Sequence, residues 1–109
     1  ISRRKSMKRI LLSADNEISV FTVPDKVADN LEQYCLEFCS NWLHKNPDAE
    51  KYRVKTGDTI GVCFNEKDFI DYLNQYICDE QSSLVTSLTK VYAGDELPEE
   101  YAGLSYFNF

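Results

Sequence analysis

The chain has no apolar run approaching the roughly 18–20 residues that a membrane-spanning helix needs, and no signal-peptide core follows its basic start. It has one histidine and no CxxC pair, so it lacks the usual ligand sets for structural zinc. There is no GxSxG, P-loop, GxGxxG or HExxH, which removes the common signatures of hydrolases, nucleotide binders and zinc proteases. Basic charge is scarce beyond the first few residues. Arg3, Arg4, Lys5, Lys8 and Arg9 hold five of the twelve Lys and Arg, so the remainder carries seven basic against eighteen acidic side chains, a net −11. Such a body repels phosphates, and nucleic acid is an unfavourable partner. Cofactors and metals are not called for by any of these residues.

What is present is a globular composition. At 109 residues with 43% hydrophobic and 13% aromatic content, the chain has enough apolar surface for one self-sufficient core. Met7 directly precedes the first apolar run, so residues 7–109 are read as a single domain. Residues 1–6, ISRRKS, are read as a non-native or disordered extension.

KRILL and ISVFTV are β-branched and apolar runs separated by SADNE, a hairpin turning at Asp15-Asn16. From Pro24 to Asn46, apolar residues at Val27, Leu31, Tyr34, Cys35, Phe38 and Trp42 follow the three-four spacing of an amphipathic helix. YRVKTGDTIGVCF reads as a second hairpin turning at Gly57-Asp58. Asn65 then caps a second helix with a stripe of Phe69, Ile70, Leu73, Tyr76 and Ile77. Residues 82–92 suit a short helix or a strand, with helix favoured. The order is ββαββα plus a C-terminal segment. The expected fold is α+β: an antiparallel sheet of about four strands from two hairpins, with two main helices on one face.

The densest cluster of reactive side chains is CLEFCSNWLH, Cys35 to His44. At about 100° per residue, Cys35 and Cys39 lie about 40° apart on the apolar stripe, and His44 points about 180° from Cys35. One helix cannot aim all three at one ion. Cys35 and Cys39 are therefore expected as core residues and Trp42 as a core anchor, with Cys63 and Cys78 facing away from the core. Disulfides are unnecessary at this size in a reducing cytosol.

The C-terminal part, from Asp79 onward, has six acids and one basic residue interleaved with aromatics. Its first reading is a cover for an open sheet face. Ile10, Leu12, Ile18 and Val20 are assigned to the helix side, leaving Leu11, Phe21 and Val23 for the tail or for a second copy of the chain. Its second reading is a partner surface formed by Glu99, Glu100, Tyr101, Tyr106, Phe107 and Phe109, because acids and aromatics together resemble interface anchors.

The stretches KRILLSADNEISVFTVPDKVADNLEQYCLEFCSNWL, NEKDFIDYLNQYI and LPEEYAGLSYFNF resemble a group of small clostridial proteins, from Met7 to Phe109. The resemblance implies a bacterial, cytosolic protein and carries no activity, cofactor or functional residue. Two functions are expected from the residues themselves. The first is a small acidic, non-catalytic protein-binding module, with an immunity or antitoxin-like inhibitor as one form. The second is an enzyme or small-molecule sensor built on a carboxylate or thiol cleft. A pocket with two converging titratable groups would favour the second.

Overall fold

A computed structural model describes residues 6–14, 17–92 and 97–109, with backbone alone for residues 89–92. Strands β1 (Met7–Ala14) and β2 (Glu17–Pro24) form the expected antiparallel hairpin. The proposed turn residues Asp15 and Asn16 lie outside the described residues, as do residues 1–5 of the proposed extension.

The chain is then helical through α1 (Asp25–Asp29), α2 (Leu31–Leu36), a π-helical turn (Glu37–Trp42) and α3 (Leu43–Lys45). Pro24 precedes the first turn, where its missing N–H costs nothing. A 3-10 turn (Pro47–Tyr52) follows, capped by Asn46, whose side chain accepts from the Asp48 N–H at 2.9 Å. The short strands β3 (Arg53–Thr56) and β4 (Thr59–Val62) come next. Gly57 turns them with φ +61°, the left-handed geometry of a two-residue hairpin.

Helix α4 (Glu66–Tyr72) opens with a reciprocal capping box between Asn65 and Asp68, and runs into a second π turn (Leu73–Ile77). Strands β5 (Ser83–Tyr92) and β6 (Tyr106–Asn108) complete the fold.

The protein is α+β, but the sheets differ from the expected layout. The main sheet runs β5-β2-β1-β6, with β6 parallel to β1, and β3-β4 is a separate two-stranded sheet. The second hairpin does not join the first because β5 and β6 already occupy the outer edges of β2 and β1. Residues 83–92 form a strand rather than the favoured helix. Their Val and Thr content prefers the pleated surface, and pairing with β2 supplies the backbone partners.

The faces of β2 are also opposite to the sequence assignment. Ala14 pairs with Glu17, so the loop is two residues long and Ile10 lies opposite Phe21, Leu11 opposite Val20. Residues directly opposite share a face. Ile10, Leu12, Phe21 and Val23 therefore face the helices, packing with Val27, Leu31, Cys35, Phe38, Leu43, Phe69 and Leu73. Leu11, Ile18 and Val20 face the other way and are covered by Tyr101, Leu88, Leu97 and Leu104.

Candidate functional site

The tail residues proposed as a partner surface are divided among different environments. Tyr101 is buried against Leu11, Ile18 and Val20. Phe107 and Phe109 are half-buried against the helix-side core, with Phe109 in edge or tilted contact with Phe38, Phe64 and Phe69. Tyr106 is 38% exposed, but its hydroxyl lies 2.7 Å from Ser13 Oγ, which also donates to Asn108 Oδ1 at 2.7 Å. Ser13 is fully buried, so these bonds satisfy a group that would otherwise be stranded. Only Glu99 and Glu100 are solvent-facing without a packing role of this kind.

A different surface brings aromatic and charged side chains together, and the two π turns shape it. In a regular helix the stripe that buries Phe38 would next bury Trp42. Instead Leu43 N–H bonds the Phe38 carbonyl, five residues back, and Leu43 is fully buried while Trp42 is half-buried. The second helix repeats this arrangement. Cys78 N–H bonds the Leu73 carbonyl at 2.8 Å, Cys78 is buried, and Tyr76 and Ile77 are 41% and 37% exposed. Each wide turn advances the fully buried position by one residue: Trp42 is left at the edge of the core, stacked on Phe38, and Ile77 is turned outward beside Tyr76. Single π turns of this kind are frequent at functional sites.

The displaced rings meet. Trp42 lies with its centroid 5.1 Å from Tyr76, 5.0 Å from Tyr72 and 6.4 Å from Tyr52. They line a cavity of about 380 Å³ together with Asp48, Asp71 and Lys51. Its amide side is formed by Asn74, Gln75 and Gln81.

Three elements hold the walls. Arg53 Nε and Nη2 donate to the carbonyls of Leu43 at 2.8 Å and Asn46 at 2.6 Å, pinning the 3-10 turn that carries Asp48, Lys51 and Tyr52 to the helix end. Cations at that end also offset the helix dipole. Asn74 brackets the backbone of Ser82, donating to its carbonyl at 2.9 Å and accepting from its N–H at 2.7 Å. This fixes the π turn against the start of β5.

Burial, with Glu37 next, raises the Tyr72 phenol from 10.0 to about 12. Partial burial first and the Asp48 carboxylate second push the Tyr76 phenol up. Both rings are therefore neutral at physiological pH. Lys51 carries its ammonium 5.0 Å from the Tyr52 ring centroid. The cavity thus combines aromatic faces, two carboxylates and a cation already resting on one ring.

Cys35 is buried and its thiol is pushed well above its ordinary range by burial, with Cys39 adding to the effect. Cys78 is buried rather than exposed, because the chain leaves the π turn in extended conformation and turns that side chain inward. Burial also raises its pKa. Among the described residues, no three histidine, cysteine or acidic side chains gather as a metal site requires. A thiol reagent on the native protein is expected to modify exposed Cys63 first, then Cys39, with Cys35 and Cys78 last. Rapid labelling of Cys78 would contradict the π-turn geometry.

No family model, curated protein or solved structure matches the chain. No helix among the described residues is long and apolar enough to cross a membrane.

Helical spacing assigns Trp42 to the core, whereas it is half-buried at the cavity wall, and Tyr52, Asp48 and Asp71 carry no sequence signal. The aromatic density of YCLEFCSNW and FIDYLNQY was visible, but periodicity at 3.6 residues has no means of announcing an i→i+5 turn.

Proposed function

We propose that this protein is a non-catalytic binding module that engages a basic partner protein through the cavity around Trp42 and Tyr76. The observation that carries this reading is the convergence of Trp42, Tyr52, Tyr72 and Tyr76 with the carboxylates of Asp48 and Asp71 on one cavity. Aromatic rings bearing a polar tip are typical interface anchors, and they contribute most where a bound partner desolvates them fully. The overall charge of −6 steers basic surfaces toward the protein and nucleic acids away from it. The tail acids Glu99 and Glu100 add to that field without belonging to the cavity.

A small-molecule sensor is the second reading, favoured by one specific feature: Asp48, Asp71 and Lys51 are titratable groups lining the same concave surface.

The test is capture from the cell that makes the protein, using the wild type beside Trp42→Ala and Asp48→Asn/Asp71→Asn. A basic protein retained by the wild type at low salt, released at moderate salt and not held by either variant is the expected result. If all three forms retain the same proteins, the cavity is not the partner site. If none retains a protein but native mass spectrometry finds a small molecule on the wild type alone, the sensor reading replaces it.

A further inference from the structure

Deepening the reading of this cavity as the binding site, we infer that the group it takes is a guanidinium, stacked on Trp42 and hydrogen-bonded by Asp48 and Asp71. The walls supply both halves of that recognition. Aromatic faces attract a cation through the negative face of the ring, and Trp is the strongest of them. The site is not an all-aromatic cage, however. Asp48 and Asp71 line it as acceptors, with the amides of Asn74, Gln75 and Gln81 beside them. A quaternary ammonium has no N–H to offer these acceptors and would use their charge but none of their hydrogen-bonding capacity. A guanidinium is planar, presents five donors, is weakly hydrated and stacks on aromatic rings.

The charge balance points the same way. Two carboxylates keep the lining net negative even with the Lys51 ammonium counted, so the site attracts a cation. Lys51 itself shows that the aromatic surface accepts a cation, since its Nζ rests 5.0 Å from the Tyr52 centroid. Its side chain is exposed, so it acts as a tethered competitor that an incoming guanidinium displaces. This makes an uncommon sign prediction: removing a residue that lines the site strengthens binding.

The same group arrives either on a free small molecule or on an arginine side chain at a protein surface. The chain's single tryptophan lies in the cavity, so its fluorescence reports occupancy directly. The experiment titrates the full-length protein with N-acetyl-argininamide, L-arginine, the neutral isostere N-acetyl-citrullinamide, and tetramethylammonium. Saturable quenching by N-acetyl-argininamide is expected, with no saturable response to the citrulline analogue and a much weaker one to tetramethylammonium.

Asp48→Asn/Asp71→Asn should weaken the arginine response by about tenfold or more, the scale of losing charge-assisted hydrogen bonds. Lys51→Ala should tighten it several-fold. Each variant is compared at matched melting temperature with the wild type. Preference for L-arginine over the capped form assigns a free small molecule, and the reverse preference assigns a protein side chain.

Absence of saturable quenching in both the wild type and Lys51→Ala overturns the inference. An equal response to citrulline or tetramethylammonium, or one unchanged by the double Asn substitution, does the same. Loss of the guanidinium response alongside Trp42-dependent capture of a protein would remove the ligand assignment and leave the binding module standing.

Discussion

Replacing Phe38 by alanine is expected to cost about 3–5 kcal/mol, the range for truncating a buried aromatic. Phe38 is fully buried and its ring lies within 6.1 Å of those of Trp42, Phe64, Phe69, Tyr72 and Phe109. It joins both helices, the loop before α4 and the C-terminus at one point. A domain of this size has about 5–15 kcal/mol in total, so the variant should melt far below the wild type or fail to fold at 37 °C. Trp42→Ala, one turn along the same helix, should cost less than about 2 kcal/mol because its ring is half-buried at the cavity wall. Urea titration of both variants measures the contrast. Equal losses would place Trp42 in the core and remove the geometric basis of the site.

Ending the chain after Gly103 is expected to abolish cooperative folding rather than merely uncover an apolar patch. The six residues removed do three separate things. Leu104 helps cover Leu11, Ile18 and Val20 on the tail side of the sheet, while Phe107 and Phe109 complete the core on the helix side. Residues Tyr106–Asn108 pair with the edge of β1, and the Phe109 N–H bonds the Ser13 carbonyl at 2.8 Å. Buried Ser13 also loses both side-chain partners, a penalty of about 1–3 kcal/mol for the stranded hydroxyl alone. The loss falls on two faces and an edge at once. Circular dichroism during heating should show no sharp transition, and sedimentation should show aggregation. A truncated chain that melts cooperatively as a monomer would mean that the tail is dispensable, and its acids and aromatics would again be the leading partner surface.

The segments whose pattern is local were legible in the sequence. Both hairpins, the helix beginning after Pro24 and the Asn65 cap follow from apolar alternation, three-four spacing and side-chain chemistry. The face assignment of β2 was available too, since a two-residue turn forces even-numbered residues of β1 to share a side with odd-numbered residues of β2. Composition does not select it, because Ile18, Val20, Phe21 and Val23 are all apolar and give no preference between the two sides. The membership of β5 was hidden by a different ambiguity. Leu84, Val85, Leu88 and Val91 follow a helical spacing while the β-branched content suits a strand, and only the open edge of β2, a tertiary fact, decides between them.

The candidate site was not legible, because its position depends on where each helix departs from 3.6 residues per turn. Nothing in EFCSNW or LNQYI distinguishes a wide turn from a regular one. Once the turns are present, Leu43 and Cys78 take the inward places and Trp42 and Tyr76 are brought to the same opening. The tail presents the converse case. Its acids and aromatics have the composition of an interface, yet Tyr101, Phe107 and Phe109 are spent on packing.

The wide turns also bear on how this protein can be followed through related sequences. A chain one residue shorter between Phe38 and Leu43, and again between Leu73 and Cys78, would reach the same inward positions with ordinary helical turns. It would keep the sheet, the helices and the buried residues, and would draw its counterparts of Trp42 and Tyr76 away from their meeting point. Two single-residue gaps in an alignment, invisible to any measure of overall similarity, would therefore separate chains that share the fold from chains that also share the proposed binding surface.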